Sequence, residues 1–300
     1  MPRRTHKPEV SGSIPLPATK IKKIVKNLKI YCISLNPLHK KLIEDIGYIP
    51  VGLGDMNFEN GWLRDNTQEN IAFKNPFYGE YTFHYWLWKN KKINFNGWIG
   101  FCQYRKFWSI QNKNLLPKSL NELRPLIIND IPESYENYDV ILGEEYLINQ
   151  MRLMKFLKKG FKLIIKKPSL LINKKNRNIK FHFDLMHGAN NIERAIEFLD
   201  KENKNDFWDF INNKNSFNPH NMFICKSKEI LNNYYSTIFP WLMRCEQKFG
   251  FEELIGWNKI RIYTFLAERF MSYWFQKNTK YKTMPIIFYD IRNDFGHKPL

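Results

Sequence analysis

The stretch WIGFCQYRKFW places polar and cationic side chains directly after an apolar run. Residues 98–102 have the composition of a buried strand, and Gln103, Tyr104, Arg105 and Lys106 follow at once. In open α/β sheets, ligands bind beyond the carboxyl ends of strands. A guanidinium matches phosphate oxygens with a planar fork, and an ammonium adds a point charge. These residue types predict a phosphate or pyrophosphate ligand. The alternative is that Arg105 pairs with an acid and Tyr104 only packs.

Two further pairs of residues have spacings that could serve chemistry. Glu80 and His84 stand one helical turn apart, which suits two metal ligands or a surface hydrogen bond. Two ligands do not make a metal site, so we favour Glu80 alone as a site residue. His187 and Gly188 are predicted to open a helix, where His187 could meet an anion.

The elements that must position these residues alternate between strands and helices. LKIYCISL reads as a buried strand, and NPFYGEYTFHYWLWKN reads as one helix capped by Asn75. YDVILGEE is a further strand that ends in acids. NNIERAIEFLDKE and RIYTFLAERFMSYWFQKN are helices, and HNMFICKSKEILNNYYSTIFPWLMRCEQKF is a strand, a short turn and a long helix. In the last helix, Glu268 and Arg269 need partners if they are buried, and we interpret Arg269 as structural. The order predicts an α/β fold.

Length and composition favour one domain. The chain has 300 residues, of which 43% are hydrophobic, with no internal repeat and no clear linker. We expect a flexible leader over residues 1–19 and a single domain over residues 20–300. Four widely spaced cysteines indicate neither a zinc site nor a redox pair. Neither a membrane-spanning run nor a secretory signal is seen, which predicts a cytoplasmic location.

The net charge of +18 belongs to two segments. Residues 1–29 hold eight Lys or Arg and one acid, and residues 146–183 hold eleven and no acid, which accounts for the whole excess. Within them, residues 20–29 and 151–180 interleave cations with apolar residues, which suits an anionic membrane surface. The alternative is a solvated helix face and a tail. Nucleic-acid binding is a competing class, but the aromatic residues concentrate at core-like helix positions, away from the cations.

Four blocks of sequence together resemble a known family. DNTQENIAFKNPFYGEYTFHYWLWKN, WIGFCQYRKFW, HNMFICKSKEI and RIYTFLAERFMSYWF occur in the order found in the bacterial capsule and O-antigen glycosyltransferases grouped as domain of unknown function 4422. The resemblance runs over about residues 29–276. The family's tyrosine–arginine block is usually preceded by His and followed by Arg. This chain has Gln103 and Lys106 there, which keep the hydrogen-bonding capacity and the charge.

The resemblance implies a GT-A-like nucleotide-diphospho-sugar transferase fold. A central, mostly parallel sheet would be flanked by helices, with a nucleotide-binding half over residues 29–145 and a helical acceptor half over residues 146–300. The implied reaction moves a hexose such as galactose from a UDP-sugar to a lipid-linked surface polysaccharide, on the inner face of the cytoplasmic membrane. A catalytically silent, glycan-binding member of the family is a further alternative.

The resemblance also suggests site residues. Polar positions of the first block, which could contact the nucleotide, are Asp65, Asn70, Lys74 and Asn75; the alternative is loop and cap chemistry. His220 and Asn221 match the family's HNMF block and could bind the acceptor or the diphosphate; the alternative is a capped strand start. Asp184 and Asp139 are further candidate carboxylates for sugar hydroxyls.

The resemblance leaves the need for a metal open. GT-A folds commonly hold Mn²⁺ or Mg²⁺ with an Asp-x-Asp pair at a strand end. The corresponding strand end here carries no Asp, so we expect Arg105 and Lys106 to replace the charge of the metal, with Glu80 beside them. Glu144 and Glu145 are the alternative metal ligands. No nucleic-acid partner is expected.

Overall fold

The computed structural model describes residues 28–93, 97–111, 116–148, 177–251, 254 and 256–291. The predicted leader over residues 1–19 lies outside these ranges. Of the two basic segments, residues 20–27 and 149–176 also lie outside them. Leu28 and Lys29, which end the first basic segment, belong to a strand. Within the described ranges, no helix combines the length and the apolar composition needed to cross a bilayer.

A nine-stranded sheet lies at the centre of the described residues. Its strands are β1 (Leu28–Ser34), β2 (Ile49–Gly52), β3 (Leu63–Arg64), β4 (Trp98–Gln103), β5 (Lys106–Trp108), β6 (Val140–Gly143), β9 (Phe223–Cys225), β10 (Tyr281–Met284) and β11 (Ile286–Phe288). A separate ribbon pairs β7 (Tyr146–Leu147) with β8 (Ser216–Phe217). The predicted strands at LKIYCISL, YDVILG and MFIC are therefore confirmed.

The sheet is mostly parallel along its main path, which runs β10-β6-β9-β4-β1-β2-β3. β9 alone on that path runs antiparallel, to both β4 and β6. β5 pairs antiparallel with β4 and with β11. Strands from the first and second halves of the chain thus share one sheet, and the predicted α/β class is confirmed.

Helices cover both faces of the sheet. They are α1 (Lys40–Asp45), α2 (Asn75–Tyr78), α3 (Tyr81–Lys89), α4 (Leu120–Leu123), α5 (Ile179–His187), α6 (Asn191–Ile196), α7 (Lys201–Asn213), α8 (Lys228–Phe249), α9 (Trp257–Ile260) and α10 (Ile262–Asn278). Ile33 of β1 packs in the core with α3, α8 and α10, whereas Ile30 and Cys32 pack in the core with α1 and α4. Because successive strand residues face opposite sides, one short apolar strand serves both cores.

The helix predicted over residues 75–89 is interrupted. Gly79 adopts φ 55° and ψ −133°, a conformation that suits glycine, so α2 ends at Tyr78 and α3 begins at Tyr81. The predicted N-cap at Asn75 is wrong. Its amide donates hydrogen bonds to the Gly79 carbonyl at 3.0 Å and to the Thr82 hydroxyl at 3.3 Å, which stabilises the break.

The helix predicted at NNIERAIEFLDKE is also shorter than expected. α6 ends at Ile196, and the next helix begins after Asp200, whose carboxylate accepts the Asn203 amide hydrogen at 3.0 Å. The long helices α8 and α10 follow their predicted sequences and pack against each other over the sheet. Their buried faces carry nine of the nineteen buried aromatic residues of the larger core, as the spacing of these residues predicts.

Candidate functional site

A cleft of about 260 Å³ opens at the edge of the sheet where β1, β2 and β4 end and β9 begins. We call it the strand-end cleft. Eight of the predicted site residues line it: Asn75, Glu80, Gln103, Tyr104, Arg105, Lys106, His220 and Asn221. Eight residues that were not predicted as site residues also line it: Ile33, Leu35, Leu53, Gly79, Arg261, Thr264, Phe265 and Glu268. The cleft therefore combines the ends of strands with one side of α10.

The QYRK sequence forms a tight hairpin and does not continue the strand. Gln103 at the end of β4 pairs with Lys106 at the start of β5, so Tyr104 and Arg105 make the turn. The Tyr104 amide donates to the Ile33 carbonyl at 3.0 Å, which ties the turn to β1. The exposed Arg105 guanidinium lies 5.0 Å from the centre of the Tyr104 ring. The hairpin thus presents an accessible guanidinium at the mouth of the cleft.

Lys106 points back beside the end of β4. Its ammonium donates to the Gln103 side-chain oxygen at 3.0 Å. Burial lowers the pKa of this lysine, and the positive charges of Arg105 and Arg261 lower it further, while Glu80 and Glu268 oppose the shift. An anion in the cleft would therefore relieve repulsion among cations that are already close together.

Glu80 connects three parts of the chain in the floor of the cleft. Its Oε1 accepts from the Asn221 amide at 2.9 Å and from the Gln103 amide at 3.4 Å. Its Oε2 accepts from the Arg261 guanidinium at 3.3 Å. Only 7% of Glu80 is exposed, so both oxygens are committed to partners within the protein. Gly79 allows this approach, because a Cβ at that position would overlap the Arg261 guanidinium.

Glu268 holds the opposite side of the cleft from α10. Its Oε1 accepts the His220 backbone amide hydrogen at 2.5 Å, and its Oε2 pairs with Arg269. Arg269 is 1% exposed, lies 4.0 Å from the centre of the Phe217 ring and donates toward His182. Glu268 and Arg269 thus form a buried ion pair, as expected for two adjacent charged residues in an apolar helix.

His220 and Asn221 have backbone conformations that are uncommon for residues with side chains. Their φ angles are 79° and 53°, in the left-handed region. The partly buried imidazole of His220 has its pKa lowered to about 3, first by burial and then by the charge of Lys106. The Asn221 amide also donates to the Thr264 carbonyl at 3.3 Å. Consecutive strained residues of this kind cluster at functional sites.

The electrostatics of the cleft favour an anionic ligand. Arg105, Lys106 and Arg261 are the cationic side chains in its lining, and Glu80 and Glu268 are the carboxylates. Both carboxylates are bonded within the protein on both oxygens. The exposed guanidinium and the ammonium beside it remain available for a ligand with phosphate groups.

Three residues of the first predicted block lie outside the lining of the strand-end cleft. Lys74 forms an ion pair with Glu246 at 2.6 Å. Asn70 bonds within its own loop and borders a separate groove of about 730 Å³. Asp65 is 1% exposed after β3, and burial raises the pKa of its carboxyl against smaller effects of Thr82 and Arg64. Their polar character reflects packing and loop contacts, so the structure places none of them at the cleft.

Three residues of the second half are also placed elsewhere. His187 ends α5 instead of opening a helix, and its buried ring stacks on Phe265 at 3.9 Å between centroids. Asp184 accepts from Lys180 at 2.8 Å and from the Asn190 amide at 3.0 Å. Asp139 joins neighbouring backbone segments at the start of β6. The prediction that His187 opens a helix is therefore wrong. None of the three residues lines the strand-end cleft, and their contacts with a ligand stay predictions.

The residues at the end of β4 do not fit a divalent cation. The Gln103 oxygen is bonded to the Lys106 ammonium, and two positive side chains flank it. Glu144 and Glu145 follow β6 but do not line the cleft, and Glu145 accepts the Ser216 hydroxyl hydrogen at 2.7 Å. Over the part of the chain that the structure describes, no group of three or more His, Cys, Asp or Glu side chains is placed to hold a metal ion.

The fold of this chain is similar to that of a solved structure. It is similar to the apo structure of WbbM, a bifunctional glycosyltransferase, with a TM-score of 0.60 and 20% identity. The match covers 87% of this chain and 45% of that one, so the chain spans less than half of that protein's length. The likeness establishes a shared α/β fold.

The family follows from the sequence itself. The chain belongs to the family described as domain of unknown function DUF4422, which matches residues 29–279. The predicted family is therefore confirmed over most of the chain. A comparison with curated proteins gives no match.

Proposed function

We propose that this protein is a glycosyltransferase whose strand-end cleft binds the diphosphate of a nucleotide-sugar donor. The observation that carries the proposal is the set of cations, Arg105, Lys106 and Arg261, at the carboxyl edge of a mostly parallel sheet. Ligands of such sheets bind in that crevice. Membership of the family and the fold shared with the bifunctional glycosyltransferase WbbM support the choice of reaction.

Each cation has a distinct part in the proposed chemistry. Arg105 is exposed and offers a planar fork to two phosphate oxygens, while Lys106 adds a point charge from the floor. Arg261, held by Glu80, approaches from the side of α10. As the bond between the sugar and the diphosphate breaks, negative charge grows on the leaving oxygen. Fixed positive groups stabilise that charge most when they need no reorganisation.

The proposal extends to the substrates that the sequence suggested. The donor is a UDP-sugar carrying a hexose such as galactose, and the acceptor is a lipid-linked surface glycan. The basic segments over residues 20–29 and 151–180 would hold the enzyme on the inner face of the cytoplasmic membrane. Their cations support this, because each one near an anionic surface contributes about 1 kcal/mol.

Thermal unfolding with different ligands tests the proposal. The protein is heated with UDP, GDP, CMP or a short single-stranded RNA, each with and without Mn²⁺. A ligand at about 100 times its Kd adds about 2.7 kcal/mol to the free energy of unfolding, which raises the Tm by several degrees. We expect UDP alone to produce this shift. A shift with RNA only would contradict the proposal, and a shift that needs Mn²⁺ would contradict the assignment of the charge to the cations.

A pair of variants locates the site. Arg105→Ala removes the accessible guanidinium and should abolish most of the stabilisation by UDP. Arg124→Ala is the matched control, since Arg124 is 46% exposed and only approaches Asp45 at 3.6 Å. We expect the control to respond to UDP as the wild type does. Equal responses of the two variants would show that the nucleotide binds elsewhere.

A further inference from the structure

The backbone of His220 is held from both sides in the strand-end cleft. Its amide donates to the Glu268 carboxylate at 2.5 Å, and its carbonyl accepts from the Gln103 amide at 3.4 Å. These contacts keep a φ of 79°, which is unfavourable for a residue with a side chain. Two elements, β4 and α10, therefore fix the position from which this imidazole projects.

The imidazole ring is freer than its backbone. It lines the cleft and meets the edge of Phe288 at 5.6 Å between centroids. Within the described part of the chain, no residue makes a hydrogen bond to either of its ring nitrogens. Glu80 and Glu268, by contrast, have both oxygens bonded. Among the carboxylates and imidazoles that line the cleft, the imidazole of His220 is therefore the group with a ring nitrogen available to accept a proton.

We propose that His220 is the general base of the transfer reaction, which rests on the proposed function. A ring nitrogen takes the proton of the acceptor hydroxyl as its oxygen bonds to the anomeric carbon. The bond between that carbon and the diphosphate oxygen breaks, and its electron pair leaves with the diphosphate. The proton stays on the imidazole until the products leave. Attack opposite the leaving group inverts the anomeric configuration.

The charges around the ring fit this role. The charge of Lys106 on β5 acts on the ring, while Glu268 on α10 accepts from the His220 backbone amide. Arg105 and Arg261 share the cleft. Burial and the Lys106 charge lower the pKa of His220 to about 3, so the ring is neutral at physiological pH. A bound diphosphate offsets the charge of Lys106, the smaller of the two causes, which raises the pKa of the ring and makes it a stronger base when the donor is present.

A glycine variant separates catalysis from folding and from donor binding. His220→Gly suits the left-handed backbone and leaves a space where free imidazole fits. We expect unchanged stabilisation by UDP and a transfer rate about 100 to 10,000 times lower. Added imidazole should restore at least ~10-fold of that loss. His220→Gln, which fills the site without a basic nitrogen, should lose as much activity and gain nothing from imidazole.

The stereochemistry of the product completes the test. NMR of the product of the wild-type enzyme should show an anomeric configuration opposite to that of the donor. Retention of configuration overturns the assignment, as does a His220→Gln or His220→Gly rate near that of the wild type, or a glycine variant that imidazole does not rescue. A wild-type protein that neither binds UDP nor transfers sugar overturns the proposed function, and the role of His220 with it.

Discussion

Replacing Glu80 with glutamine should destabilise the protein more than its small chemical change suggests. The carboxylate receives hydrogen bonds from Asn221 and Gln103 and pairs with Arg261, and only 8% of its side chain is exposed. Glutamine has the same shape, but it has one acceptor oxygen and one amide. That amide must face either Asn221 or Arg261, both of which are donors.

The magnitude follows from these contacts. A hydrogen bond to a charged group contributes about 1.5 to 3 kcal/mol, roughly 1 kcal/mol more than a neutral one, and an unsatisfied buried donor costs a further 1 to 3 kcal/mol. The Arg261 side chain is 21% exposed, so water partly compensates it. Glu80→Gln should therefore lower the free energy of unfolding by about 2 to 4 kcal/mol. At roughly 2 °C per kcal/mol, the Tm falls by about 4 to 8 °C.

A surface glutamate provides the matched control for the thermal assay. Glu197 pairs with Lys204 at 2.6 Å, but its side chain is 65% exposed, so Glu197→Gln should cost less than about 1 kcal/mol. Both variants are melted beside the wild type at the same pH and salt concentration. If Glu80→Gln melts within 2 °C or so of Glu197→Gln, Glu80 does not hold the cleft together, and the reasoning fails.

Two further predictions concern glycine and histidine positions. Gly79→Ala and Gly250→Ala both place a side chain at a positive φ, but only the new methyl group at position 79 overlaps the Arg261 guanidinium. Only Gly79→Ala should therefore weaken the stabilisation by UDP. Equal UDP responses of the two variants would contradict this. Burial lowers the pKa of His84 to about 3. Below pH 6.5 this histidine therefore binds a proton in the unfolded chain, whereas it stays neutral in the folded chain until the pH approaches 3. His84 should make the free energy of unfolding fall by up to about 1.4 kcal/mol per pH unit from 6.5 toward 3, in addition to a similar contribution from His220. His84→Gln should therefore reduce the slope in urea titrations without removing it; a slope identical to that of the wild type would refute this.

The architecture was largely predictable because apolar periodicity reports burial directly. The strands at LKIYCISL and VILG and the helices α8 and α10 lie where the pattern places them. Interruptions were harder to predict. The hairpin at Tyr104 and Arg105 lacks the Asn-Gly or Gly signal of a two-residue turn, so the sequence reads as one strand. Gly79 did indicate a possible interruption of the helix, but the helical pattern on both sides of it favoured one continuous helix.

The candidate site was only partly predictable because its contacts are remote in sequence. Arg261 meets Glu80 across 181 positions, and no local pattern marks it. Glu268 did carry a signal, a charge in an apolar helix, but its partner at the His220 backbone could not be read from spacing. The same remoteness explains why two of the predicted residues lie outside the cleft, since Lys74 pairs with Glu246 and His187 stacks on Phe265.

A crystal structure of the protein with UDP would test the central claim most directly. The account predicts that the diphosphate lies in the strand-end cleft, with its oxygens within hydrogen-bond distance of Arg105 and Lys106. Glu80 should still bind Asn221, because that contact forms the floor of the cleft. A diphosphate bound in the separate groove beside Asn70, or a cleft that stays empty while UDP stabilises the protein, would contradict the account.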